Sequence, residues 1–241
     1  MTAMAASGLR SRMESLDLLA NNMANASTGG YKADREFYSL YTAPEAEDGD
    51  STTTMPVVQQ PWTDLSQGPI ANTGNSLDVA LSGQGFFSVS GPNGTLYTRN
   101  GGFHIAANGQ LVTADGYPVR SVSGTPLTPQ AALPIDISRD GTLMQAGQPI
   151  GQLDIADFTG TAGVAKQGGN YFRAVDPNAK PAAPPETTVE QGKLETSNTG
   201  TAESAVRLVS IMRQFEMLQK AASIGNDLNK EAIQEVARVV T

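Results

Sequence analysis

Cysteine is absent from this chain of 241 residues, and histidine and tryptophan occur once each. The missing thiols exclude disulfides, thiolate metal sites and cysteine nucleophiles together. They fit either the cytoplasm or an extracytoplasmic site that needs no disulfide staples. One histidine cannot build a histidine-based metal site. Aromatic residues are scarce at 6%, whereas 25 Gly and 14 Pro signal many turns. Positive charge is also short, with 16 basic against 24 acidic residues and a net charge of -8. No dense Lys/Arg patch offsets that balance, which argues against a nucleic-acid partner. The apolar runs are too short to span a bilayer, so no membrane insertion is expected. Arg10 and Arg12 are not followed by an apolar block, so a cleaved signal peptide is not expected.

What the chain does have lies at its two ends. Leu9, Met13, Leu16, Ala20 and Met23 recur at alternating spacings of four and three, as do Leu208, Ile211, Phe215, Leu218 and Ala222. Each series draws an apolar seam of coiled-coil type along one helix face. The first helix is expected over about 2–26, followed by Ser27, Thr28 and the Gly29-Gly30 pair that suit a helix exit. The last is expected to open at Thr201 as N-cap and, if it reaches Val240, to span about 60 Å. Its seam loses regularity beyond Ala222, where Ile224, Leu228, Ala232 and Val236 offer a shifted one. The first helix also carries Ala3, Ala5, Ala6, Ser7 and Gly8, small residues that allow close approach and bury little. An isolated pair of such helices is marginal, so the seams are expected to bind neighbouring subunits.

Between the ends the pattern is β. Leu77, Val79 and Leu81 alternate with polar or small residues. Hairpin signals stand at Gly91-Pro92-Asn93-Gly94, between 86–89 and 95–98, and at Asn108-Gly109, between 103–106 and 110–113. Asp140-Gly141 separates 135–137 from 142–144, 119–122 reads as a strand, and 150–158 reads as one more. Segment 31–41, with Tyr31, Phe37, Tyr38 and Tyr41, fits a short helix or an extended arm. Segment 44–61 is polar and acidic and reads as a loop or arm, and 177–185 as a Pro/Ala linker. The expected class is therefore α+β. N- and C-terminal helices (1–30 and 199–241) form a coiled-coil-like terminal domain, arms or linkers cover 31–76 and 176–198, and a central all-β domain covers 77–175.

Catalytic constellations are missing. His104 sits on an expected strand, and no motif surrounds a candidate serine such as Ser90. Gly83-Gln84-Gly85 lacks the lysine and following helix of a phosphate loop. Asp136, Asp140, Asp154 and Asp157 do not follow a calcium-loop pattern. No enzyme, cofactor or metal site is expected. A rival reading from another class is a glycan-binding module using Trp62, Tyr97 or Tyr117, which leaves the terminal seams without a role.

Residues 20–32, Ala-Asn-Asn-Met-Ala-Asn-Ala-Ser-Thr-Gly-Gly-Tyr-Lys, resemble the signature near the N-terminus of bacterial flagellar rod and hook proteins. So do the blocks at 77–87, 97–101, 108–118, 135–143, 168–172 and 189–198, in that order, covering nearly the whole chain. The run Arg213-Gln214-Phe215-Glu216-Met217 is most similar to the proximal-rod protein of the F type, with the distal-rod protein of the G type next. The resemblance implies terminal helices packed in the inner tube of the flagellar axis, with the β domain outside. It also implies partners: copies of the chain, other axial rod and hook proteins, the flagellar type III export apparatus, and basal-body rings. The implied place is the periplasmic rod, reached without signal cleavage. On this reading Asn21, Asn22 and Asn25, in the same family motif as Gly30, Tyr31 and Lys32, satisfy backbone groups where helix becomes arm, and the arm around 31–41 locks one copy to another.

Overall fold

The computed structural model describes residues 2–42, 54–130, 133–158, 163–176, 181, 184 and 186–239. The chain folds into two compact units. One contains 1–24, 34–62 and 200–241, and the other 25–33 and 63–199. The acidic stretch at Glu45, Glu47, Asp48 and Asp50, and most of the expected linker at 177–185, lie outside the described residues.

The first unit holds helix α1 (Thr2–Ala24), helix α2 (Thr201–Val239), and strands β1 (Asp34–Thr42) and β2 (Thr54–Thr63) paired as a two-stranded ribbon. The ribbon resolves the choice between helix and arm at 31–41, and between loop and arm at 54–61, in favour of extended chain. Pairing with β1 satisfies backbone groups that composition alone could not place. The amide of Ser204 donates to the carbonyl of Gly200 at 3.0 Å, so Gly200 is the N-cap and Thr201 the first helical residue.

The second unit begins with β3 (Ile70–Asn72), β4 (Val79–Ser82), β5 (Phe86–Gly91), β6 (Gly94–Thr98), β7 (His104–Ile105), β8 (Leu111–Val112) and β9 (Ile135–Ile137). It continues with β10 (Thr142–Gln145), β11 (Gln148–Gln152), β12 (Ile155–Ala156), β13 (Val164–Gly168), β14 (Tyr171–Ala174), β15 (Thr188–Gln191) and β16 (Lys193–Glu195). Its largest sheet has the order β12-β5-β6-β14-β13, and β11-β10-β9 forms a second. Side chains alternate across the large sheet. Phe87, Val89, Leu96 and Tyr171 face the larger core around Leu81, Leu111, Leu143 and Leu153. Phe86, Tyr97 and Phe172 face a smaller core with Val164. A sheet covered on both faces explains the adjacent Phe86-Phe87, which an alternating polar pattern would forbid.

The expected hairpins at Gly91–Gly94 and Asn108-Gly109, and the pairing across Asp140-Gly141, are all present. Three expectations need correction. Residues 150–158 are two strands in different sheets, and 119–122 makes only isolated bridges. The segment expected as an arm before residue 77 contributes β3, while 189–194, which reads in sequence as a short strand or arm, supplies most of β15 and β16; β16 pairs with β3 and β15 with β4.

Candidate assembly site

Small polar residues form the inner face of α1. Ser11, Ser15, Leu19 and Asn22 are buried, with the Ser15 hydroxyl donating to the Ser11 carbonyl at 3.0 Å. A Cβ added at Gly8 would stand 3.6 Å from Leu218 Cδ1, which measures how close the two helices run. On α2 the residues turned inward are Ser204 and Ile211, both buried, with Leu208, Phe215, Leu218 and Ala222 half-buried. The pair is antiparallel. Asn22, late in α1, exchanges two hydrogen bonds with the Asp34 backbone (2.7 and 3.0 Å), and Arg207, early in α2, meets Glu36 two residues on at 3.4 Å. The start of α1 lies against Leu218.

The ten predicted seam residues therefore divide. Leu208, Ile211, Phe215, Leu218 and Ala222 lie on the side of α2 turned towards α1 within one subunit, and of the five only Ile211 is fully buried. The physical reason is the serine face of α1, which offers α2 a close seat without looking apolar in sequence. The α1 seam points elsewhere. Leu9 and Leu16 are half-buried, Ala20 is exposed, and Met13 and Met23 are 55% and 39% exposed.

The motif residues also divide. Asn22 satisfies both backbone groups of Asp34, Asn25 accepts a hydrogen bond from the Thr28 hydroxyl at 3.3 Å, and Asn21 is exposed. Gly30 has φ +65, and a Cβ there would stand 2.3 Å from the Arg99 carbonyl carbon. Tyr31 and Lys32 are buried within their own subunit at 1% and 0% exposure.

Lys32 is the centre of a clasp. Its Nζ donates to Glu195 Oε1 at 2.6 Å and to the Ser66 carbonyl at 2.6 Å. Arg99 Nη1 reaches Glu195 Oε2 at 3.2 Å, while Nη2 donates to the Gly83 carbonyl at 2.7 Å. The Gly68 amide completes Glu195 at 2.8 Å. Burial pulls the Lys32 ammonium below its ordinary pKa and Glu195 opposes that pull; Arg99 is shifted the same way for the same reasons. Around this core, Gly30 donates to the Glu195 carbonyl, Ala33 to Asn198 Oδ1, and Asn198 Nδ2 to the Asp64 carbonyl. Three segments, 25–33, 63–69 and 193–199, are thereby stapled together. Each leads directly into an element of the helical unit. Sequence reasoning missed Arg99, Glu195 and Asn198. Their signal was their presence in the family-like blocks at 97–101 and 189–198.

His104 is exposed on β7, and Tyr97 is buried edge-on to Phe158, which removes it from a glycan platform. Among the described residues no group of three His, Asp or Glu side chains is placed to hold a metal ion. Among them, too, no helix is long and apolar enough to cross a membrane.

Comparison with known proteins agrees with the blocks. Residues 80–145 match the flagellar hook protein FlgE/F/G D1 domain, and residues 190–235 the flagellar basal body rod FlgEFG protein C-terminal region. The flagellar basal-body rod protein FlgF of Caulobacter vibrioides is 30% identical over 93% of this chain and 92% of its own. The chain belongs to the flagellar basal-body rod protein family. The FlgG proteins of Buchnera aphidicola subsp. Schizaphis graminum and of Agrobacterium fabrum are each 31% identical, covering 94% of this chain and 96% and 95% of theirs. Within this rod family the clasp lies where the two matched regions meet, since Arg99 falls in the first and Glu195 in the second.

Proposed function

We propose that this chain is a structural subunit of the bacterial flagellar basal-body rod. It polymerises through its terminal helices, in a coiled-coil-like manner, into the hollow axial shaft that carries torque from motor to hook. Similarity to rod proteins over 93–94% of the chain carries this reading, together with the match of residues 190–235, most of α2, to the rod protein C-terminal region. The α1 seam supports it: Met13, Ala20 and Met23 are exposed, and Leu9 and Leu16 between them are half-buried. Contacts that do not close into a ring generate the helical array a rod requires. The partners on this reading are copies of itself and other axial proteins, with delivery to the periplasm through the flagellar type III apparatus. The run at 213–217 favours the proximal rod.

Deletion of the gene tests the proposal. The expected result is non-motile cells whose basal bodies end in a truncated rod, with motility restored by the intact chain. Normal swimming and complete rods in the deletion strain would overturn it.

A further inference from the structure

The loop Gly83-Gln84-Gly85, which is no phosphate loop, walls a cavity of about 390 Å³ within the β-rich unit. That volume lies in the range of small-ligand pockets. Leu65, Phe86 and Phe158 give it an apolar side, the two phenylalanine rings standing 6.4 Å apart and tilted by 59°. Arg99 and Asp157 give it a polar side. The walls are held in place. Gln67 donates from Nε2 to the Leu81 carbonyl at 3.0 Å, and its Oε1 accepts from the Gly83 amide at 3.1 Å. The Thr187 hydroxyl donates to the Gln84 carbonyl at 2.6 Å.

The polar side is incomplete. Arg99 is 3% exposed, and its Nε–H has no acceptor. Half-buried Asp157 attracts the guanidinium through space. Among the described residues, however, no hydrogen bond or ion pair joins the two, because Arg99 directs its Nη groups to Glu195 and the Gly83 carbonyl. A donor and an acceptor thus share one cavity without meeting. The charges around it already cancel, with Lys32 and Arg99 set against Glu195 and Asp157. An ionic ligand would upset that balance and lose its hydration as well, so a neutral ligand fits better. Such a ligand offers an oxygen to Arg99, an N–H to Asp157, and an apolar body to the two rings.

One peptide unit bearing an aromatic or large aliphatic side chain meets all three demands. We infer that this cavity binds such a unit from an extended segment of a partner protein. Its carbonyl turns towards the Arg99 guanidinium, its amide N–H donates to Asp157, and its side chain lies against Phe86, Phe158 and Leu65. A contact confined to one residue buries far less than the ~1,000 Å² of a stable interface between copies. The occupant is therefore a short segment of a different protein, docked reversibly.

N-acetyl-phenylalaninamide carries one blocked peptide unit with an aromatic side chain, and it serves as the probe. The isotope-labelled full-length chain is titrated with it and followed by NMR. The expected result is saturable shifts confined to the amides of residues 83–86 and 157–158. N-acetyl-glycinamide, which has no side chain to bury, should bind about tenfold or more weakly. Asp157→Ala should weaken the probe about tenfold, the loss of one hydrogen bond to a charged acceptor. Gln84→Trp, at an exposed position of the cavity wall, should block the probe with Asp157 still in place. It decides the matter alone if Asp157→Ala does not fold. No saturable shift at these residues in the unsubstituted chain overturns the inference, and so does unchanged binding by Gln84→Trp. Tighter binding of free, zwitterionic phenylalanine than of its blocked amide overturns the neutral ligand. Shifts at the same residues that grow with the chain's own concentration, without probe, overturn a foreign occupant in favour of a second copy. None of these outcomes bears on the rod reading, which the deletion strain tests.

Discussion

Lys32 Nζ and Glu195 Oε1 lie 2.6 Å apart with both side chains fully removed from solvent, although the residues are 163 positions apart in the chain. Arg99 shares the same carboxylate, so two buried cations depend on one anion. Glu195→Gln should therefore destabilise the β-rich unit severely, by about 3–5 kcal/mol, because it leaves uncompensated charge in a desolvated site. Urea unfolding of the full chain measures this. Adding Lys32→Met to Glu195→Gln should recover part of the loss, since one orphaned cation is removed. A double variant no better than Glu195→Gln alone would show that Lys32 and Glu195 are not energetically coupled.

The clasp also sets a pH dependence. Burial holds the Lys32 pKa below its ordinary value in the folded chain, whereas the unfolded chain titrates near ~10.4. Between those two values the unfolded state binds a proton that the folded state has released, so stability rises with pH there. The difference in unfolding free energy between the native chain and Lys32→Met should accordingly move in favour of the native chain as pH climbs towards ~10.4. Unfolding of both at a series of alkaline pH values checks this, the other titrating groups cancelling in the difference. A falling difference would contradict the lowered pKa.

Ala146 has φ +51, the left-handed region that an alanine side chain disfavours. It shares the two-residue turn between Gln145 and Gln148 with Gly147, whose φ is +76. Asn-Gly is the usual chemistry for such a turn. Ala146→Gly or Ala146→Asn should relieve up to ~1–2 kcal/mol of strain, offset in part for glycine by its greater unfolded freedom. A higher thermal midpoint for Ala146→Asn is the expected readout.

That turn also shows why some of the fold was legible in sequence and some was not. Hairpins built on Pro92-Asn93 and Asn108-Gly109 announced themselves because their residues favour the required backbone. The Ala146-Gly147 turn gives no such signal, so the β10–β11 hairpin is not legible, and neither is the break at Leu153-Asp154 that separates β11 from β12. The α2 seam was visible because leucine, isoleucine and phenylalanine mark a face at helical spacing. Its mate was hidden because Ser11, Ser15 and Asn22 give the inner face of α1 a polar look, and the apolar Leu9–Met23 seam drew attention to another side. The burial and pairing of Lys32 and Glu195 are not legible, since no local pattern tells a charged residue that its counter-ion lies at the other end of the chain. Only the family-like blocks at 20–32 and 189–198 pointed to them, and those blocks said nothing of burial.

The close approach at Gly8 makes the last prediction specific. A Cβ there would rest at ordinary van der Waals distance from Leu218, 3.6 Å and 3.8 Å from its two methyl carbons. Alanine therefore fits, and it removes the ~0.5–1 kcal/mol penalty that glycine carries inside a helix. Gly8→Ala should raise the helical signal of the isolated full-length chain and its resistance to denaturant. Gly8→Leu is different, because the added branches have no room between α1 and Leu218 and must push the helices apart. It should lower helicity and loosen Ile211, which is buried beside the same face. Circular dichroism of the three chains decides the matter. If Gly8→Leu matches Gly8→Ala, the helices do not pair in the free subunit as they do here, and the inner seam of α2 is open to neighbours after all.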